Sequence, residues 1–352
     1  MHTSFKLALT LLVLAAGTAQ AGNISLGQAA EFNTFIKGNF NSSGPDVEGR
    51  AAIGGNLTIN GGYSFADKNA AAQGAEVIVG GNVNKTGGGS LSVHGGTEHS
   101  QGQLVYGGKL TGTLGAGTAS KTSDTGIDFN GAFNHLNQLS EQLAKSTTPD
   151  ISRKAQWSTL TFTPAAANAS NVYVIDITQQ DLNSYSLIKI DNKNIAKDAL
   201  IVFNVSNPDK VASGNCAAGK TGCVNFKVAQ MDLGNDISTH KFINNQNQSA
   251  IDKHILFNFY GVTDLKLSQA IYGSILAPSA NISSSSGVVW GHVIANSWKG
   301  NMQMNWAPLD VPSGGTPPVS APSPAALLLL VPALFWFRRR SAVSQPRQAV
   351  IA

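Results

Sequence analysis

Asp46 and Glu48 stand two residues apart in the Gly44–Arg50 stretch. On a strand, positions i and i+2 share a face, so the two carboxylates could meet one cation or one sugar. A charged corner, with Asp46 bonded to nearby backbone amides, accounts for the same residues. His94, Glu98 and His99 lie in a Gly-rich run. A metal site wants three or four ligands at defined spacing, so these read as loop residues. His292 follows a glycine beside Trp290 and reads as a stacked polar side chain. No H-E-x-x-H, G-x-S-x-G, P-loop or calcium-loop pattern occurs, and Gly87-Gly88-Gly89 lacks a following helix and Lys. The expectation is no catalytic residue, no cofactor and no metal.

Cys216 and Cys223 flank six residues in a Gly/Ala-rich stretch. In an oxidising compartment they would form a disulfide that closes a small loop. The spacing is not C-x-x-C, and no nearby His supports zinc. Tyr63, Tyr106, Tyr185, Tyr260, Trp157, Trp290, Trp298 and Trp306 either offer stacking platforms for carbohydrate or fill an interior. Thr111 and Thr113 form a single Thr-x-Thr, short of the repeated array that ice recognition would need.

These residues sit in a repeating frame. Gly54-Gly55, Gly80-Gly81 and Gly107-Gly108 each follow a short apolar run, at spacings of 26 and 27 residues. Tyr272-Gly273-Ser274-Ile275 repeats as Trp290-Gly291-His292-Val293, 18 residues on. Short strands at 20–30-residue intervals predict coils of a parallel β-helix. Gly would turn the corners at positive φ, and the 30 Asn would suit the same corners by tolerating left-handed backbone. One segment has helical spacing: Phe129, Phe133, Leu136, Leu139 (or Ser140) and Leu143, with Asp128 as N-cap and Pro149 beyond the end. A shorter helix is expected over Leu26–Ile36. Strands are expected at Val172–Ile177, Leu187–Ile190, Ala199–Val205, Val224–Val228 and Ile255–Phe259. The fold class is mainly β: a parallel β-helix with one long amphipathic helix packed alongside.

Charge is low and local. Residues 22–311 carry 19 basic and 20 acidic side chains, which excludes a nucleic-acid footprint. The remaining basic residues lie in the two ends. Residues 1–21 read as a signal peptide: Lys6, an apolar run, and Ala19-Gln20-Ala21, with cleavage between Ala21 and Gly22. Residues 312–324 form a Pro/Ser/Gly linker. Residues 325–340 hold an apolar run closed by Arg338-Arg339-Arg340, and 341–352 would be a cytoplasmic tail.

This end resembles a PEP-CTERM sorting signal of Gram-negative, exopolysaccharide-producing bacteria, with Pro322-Ser323-Pro324 at the motif position. That likeness implies an exosortase-type processing enzyme as partner and membrane attachment through the C-terminal helix. Phe35–Phe40 leading through Ser42–Arg50 into Ala52–Asn56, with the late Tyr272–Pro278 and Gly291–Ala295, resembles the choice-of-anchor A family across residues 22–311. The likeness implies an exported, cell-surface adhesin-like domain with an architecture like that of ice-binding-like adhesive domains. It brings no catalytic residues. The resulting expectation is a non-enzymatic protein that meets an extracellular polysaccharide or matrix ligand through many weak contacts. The alternative is a polysaccharide lyase or hydrolase on the same β-helix.

Overall fold

Each 26–27-residue repeat closes one coil of three short strands. The computed structural model describes residues 24–232 and 252–312, apart from 70, 72–73, 167–169, 192 and 197. Thr34–Ile36, Phe40–Ser42 and Asp46–Val47 make the first coil. Ala51–Ile53, Leu57–Asn60 and Tyr63–Phe65 make the second, and Val77–Val79, Val83–Thr86 and Leu91–Val93 the third. Gln103–Tyr106, Leu110–Thr111 and Leu114–Ala116 follow. Each strand pairs in parallel with its counterpart one coil on. Stacking in register puts like residues over like: Phe40, Leu57 and Val83 line up and are wholly buried. The interior is thus one continuous apolar column.

The repeated Gly-Gly corners work differently from the sequence expectation, although Gly61, Gly87, Gly89 and Gly112 at the next corner do turn at positive φ. Gly54-Gly55, Gly80-Gly81 and Gly107-Gly108 do not. Glycine is required there because the coils touch backbone to backbone. A Cβ on Gly55 would lie 2.7 Å from the carbonyl carbon of Gly38, and one on Gly108 would lie 2.9 Å from that of Gly81. Nor are the asparagines left-handed among the described residues, Asn171 excepted. Asn39, Asn56 and Asn82, each after a corner glycine, instead bond the next coil. Asn39 Oδ1 accepts the N–H of Asn56 at 2.8 Å, Asn56 Oδ1 that of Asn82 at 2.7 Å, and Asn82 Oδ1 that of Lys109 at 2.8 Å.

The stack does not follow chain order. The strands Val172–Thr178, Leu200–Ser206, Ile255–Asn258, Ser274–Trp290 and Val293–Asn305 build a second run of coils toward the first. Val293–Asn305 then pairs with Thr34–Ile36, so the last coil seals onto the first. The outer ends are Thr118–Lys121 and Val172–Thr178, which are close in sequence and far apart in the stack. The chain returns between them along one side, and the helix Phe129–Ala144 spans about 24 Å of that return.

Phe133, Leu136, Leu139 and Leu143 of the helix pack on Phe35, Ala52, Leu256, Leu276 and Ile294. These outward positions of the adjoining strands make that wall apolar on both sides, which explains the near-continuous apolar runs at Leu200–Val205 and Ile255–Phe259. Asn258 and Asn204 fasten the helix C-terminus. Their amides donate to Ser140 O and Leu143 O, each at 2.9 Å, and Ser140 Oγ donates to Asn258 Oδ1 at 2.6 Å.

Three expectations change. Leu26–Ile36 is a short 3-10 turn over Gly27–Glu31 followed by strand Thr34–Ile36, because Phe35 and Ile36 point to opposite walls of the ladder. A hairpin, Ile151–Gln156 with Thr159–Pro164, heads a separate sheet with Leu187–Ile190 and Gln230–Asp232. Membrane attachment through a C-terminal helix is also corrected. No helix among the described residues is long and apolar enough to cross a membrane. The 325–340 segment lies outside those residues, and its 13-residue apolar run is shorter than the roughly 20 that a span needs.

Candidate functional site

The helix covers one of the three walls of the solenoid. A second wall displays a row of polar side chains, one per coil. The row runs Lys266, Ser283, Lys299, Asn41, Thr58, Asn84, Thr111, and its register continues past Lys266 to Asn225, which is buried. Neighbours in such a row are about 4.8 Å apart, the spacing of paired strands. The row alternates with buried Leu265, Ile282, Trp298, Phe40, Leu57 and Val83, so it points outward by the two-residue period of a strand. Beside it runs the asparagine ladder, and Asn60 and Thr86 pair on its other flank. Thr111 is thus the end of a row. The pattern was hidden in sequence because Thr, Asn, Ser and Lys substitute for one another along it.

The disulfide loop overhangs this wall. Cys216 and Cys223 are joined, with Cα atoms 5.4 Å apart. The loop is tied at its base, where Asn207 Nδ2 donates to Cys223 O at 2.8 Å. Lys220 on the loop reaches Asp264 at 2.9 Å, and that ammonium holds the Asp264 carboxyl below the usual carboxylate range. Between loop and wall is a groove of about 420 Å³, lined by Lys220, Asp264, Lys266, Ser283, Lys299 and Asn41 among others.

The other candidate residues are not brought together for chemistry. Glu48 accepts the N–H of Trp306 at 3.0 Å, an anchoring role. Asp46 is half-buried on the third wall, and burial first, then Asp67 and Glu48, pushes its carboxyl up to about 6. His94 faces Asp67 at 3.6 Å, whereas Glu98 and His99 are exposed. His292 is buried, with Nδ1 2.6 Å from Phe32 O and its ring edge-on to Trp306 rather than Trp290. Burial pushes it down to about 4, so it is neutral at pH 7. Among the described residues no three His, Cys, Asp or Glu are placed to hold a metal. Of the aromatic residues, Tyr63 and Trp298 are core, with Trp298 stacked on Phe40, while Trp157 is 91% exposed at the tip of the hairpin. Ala21, Gly22, Pro322, Ser323, Pro324, Arg338, Arg339 and Arg340 lie outside the described residues.

Ten strands in one parallel ladder, a helix sealed along one wall and a polar row on another define a helix-buttressed β-solenoid. The chain belongs to the ice-binding-like adhesive domain family, whose model matches residues 25–306. It is similar to the crystal structure of an ice-binding protein from an Antarctic biological consortium, at 13% identity over 81% of this chain and 90% of that one, TM-score 0.34. It is also similar to ice-binding protein 1 of Shewanella frigidimarina, at 12% identity over 81% and 96%, TM-score 0.35. A third likeness is to the ice-binding protein of the Antarctic ascomycete Antarctomyces psychrotrophicus, at 12% identity over 86% and 100%, TM-score 0.30. No curated protein matches the chain.

Proposed function

We propose that the chain is an exported, non-enzymatic adhesive protein that holds a hydroxyl-rich surface through the polar row. The observation behind this reading is the register Ser283–Lys299–Asn41–Thr58–Asn84–Thr111. Each side chain offers one or two hydrogen bonds from a rigid backbone. Single contacts of this kind are weak in water. Because the coils fix all of them at once, they act together on an extended ligand such as a polysaccharide. The adhesive family supports the reading, and the anchor-type resemblance of residues 22–311 is its finer form. A hydrolase would need two facing carboxylates about 5–9.5 Å apart. In the groove on this wall the one carboxylate, Asp264, is paired with Lys220.

Ice is the second reading. It is favoured by the Thr and Asn hydroxyls and amides at strand spacing on neighbouring coils. One experiment separates the two. The full-length chain is tested for retention on dextran beads and for incorporation into a growing ice hemisphere, alongside the Thr58→Glu/Asn84→Asp variant. Retention on dextran, weakened at least tenfold in the variant, is expected. Incorporation into ice without retention would replace the first reading by the second, and neither result, or an unaffected variant, would overturn the role of the row. Export is tested by N-terminal sequencing of secreted chain, which should begin at Gly22.

A further inference from the structure

We infer that the groove beneath the Cys216–Cys223 loop is a subsite for a uronic-acid polysaccharide. It rests on the polar row as the binding face and names what that face selects. Lys266 and Lys299 occupy the same row, with Ser283 between them. Their stems rise two strand spacings apart, about 9.6 Å. Among the described residues, neither ammonium is in a salt bridge. Two free like charges on one wall repel each other mildly and gain nothing from the fold. An anion between or along them removes that repulsion. Residues 22–311 are otherwise close to neutral, so the pair is a local feature and not part of a basic surface.

The rest of the groove decides which anion. Asn41 and Ser283 supply amide and hydroxyl groups that match sugar hydroxyls. The disulfide-closed loop gives the open wall a side, and Lys220 on that loop is occupied by Asp264 at 2.9 Å. Asp264 would repel a densely charged chain such as nucleic acid or a heavily sulfated glycan. It would instead accept hydrogen bonds from hydroxyls. Widely spaced single negative charges on a hydroxyl-rich backbone fit both the two lysines and Asp264. Lysine serves such a ligand as a compact point charge and makes no bidentate demand.

The test measures binding of the full-length chain to a trigalacturonate-or-longer oligogalacturonate, with dextran of matched length and dextran sulfate as comparators, at low and moderate salt. Oligogalacturonate should bind at least tenfold tighter than dextran, and the preference should shrink with salt. Lys266→Gln/Lys299→Gln should abolish the preference, bringing oligogalacturonate affinity down to that of the same variant for dextran, and Lys266→Arg/Lys299→Arg should restore it. These positions are solvent-facing, and unchanged thermal unfolding would exclude misfolding. Equal affinity for dextran and oligogalacturonate, or a preference that survives the double variant, would overturn the inference while the polar-row reading stands. Tighter binding of dextran sulfate would replace it by a generic polyanion site. Binding of none of the three would overturn both.

Discussion

Asn56 Oδ1 accepts the backbone N–H of Asn82, one coil further along the stack, at 2.7 Å. The same bond runs from Asn39 to Asn56 and from Asn82 to Lys109. At this corner the strand ladder is interrupted, so the side chain supplies the acceptor that the backbone would otherwise lack. Asn56→Ala should cost about 1 kcal/mol, the net worth of one such bond. Asn56→Asp keeps an acceptor and should cost less. Urea unfolding of both variants checks this. Equal losses would mean that the bond itself contributes little.

The glycines beside this ladder make the sharper test. A Cβ on Gly80 would run into the backbone carbonyl of Gly54, whereas one on Gly88 meets nothing within 4 Å. Backbone cannot swing aside as a side chain can. Gly80→Ala should therefore cost about 1–3 kcal/mol, while Gly88→Ala stays within about 0.5 kcal/mol of the parent. Thermal unfolding of the pair decides. If both are tolerated, the coils are more loosely stacked than their register implies.

Acidification sets buried His292 against half-buried Asp46. His292 takes up its proton near 4 in the folded chain and near 6.5 when unfolded. Its contribution is whole above 6.5 and falls, by about 1.4 kcal/mol per pH unit at most, as pH drops toward 4. Asp46 does the reverse. Its folded carboxyl protonates at about 6 and its unfolded one near 3.8, so lowering pH through that window stabilises the fold. The parent should show only a shallow decline between pH 6.5 and 4. Asp46→Asn removes the compensating group and should be more stable than the parent at pH 7, with a steeper loss on acidification. Urea midpoints across that range test it, and parallel curves would show that Asp46 does not titrate in the window.

Trp157 opens the two-residue loop of the Ile151–Pro164 hairpin at φ +55, and it is 91% exposed. Glycine is the residue that such a position favours, since a side chain there costs about 1–2 kcal/mol. Little packing offsets the cost. Trp157→Gly should raise stability by about 1 kcal/mol or slightly less, because glycine also loses more freedom on folding. A lower unfolding midpoint would mean that the indole makes a stabilising contact after all.

That hairpin also shows where sequence reading ran out. Its loop is Trp157-Ser158, without the Gly or Asn that marks a turn, so the strands on either side gave no hairpin signal. The coils were legible because an apolar run followed by Gly-Gly and a polar residue recurs at nearly constant spacing, and the long helix because Phe133, Leu136 and Leu143 keep helical period. Stack order was not legible. The pairing of Thr34–Ile36 with Val293–Ala295 joins residues far apart in the chain, and no local pattern announces it. The polar row is half-visible in sequence: Thr111 stands out only with Thr113, because its partners in the row, Asn84, Thr58 and Asn41, differ in type and align only after folding.

The seam between Thr34–Ile36 and Val293–Ala295 has a mechanical consequence. The chain enters the solenoid at its first coil and leaves from its last, and these two are adjacent. Tension between residues 24 and 312 therefore loads that one junction and the helix packed across it on Phe35 and Ile294, while the outer coils carry none of it. Because the strands there are parallel, pulling on the start of one and the finish of the other slides them past each other, and their hydrogen bonds share the load. Yield under traction is set at the waist of the molecule, and a ligand gripped near Asn41 and Lys299 sits on that same junction.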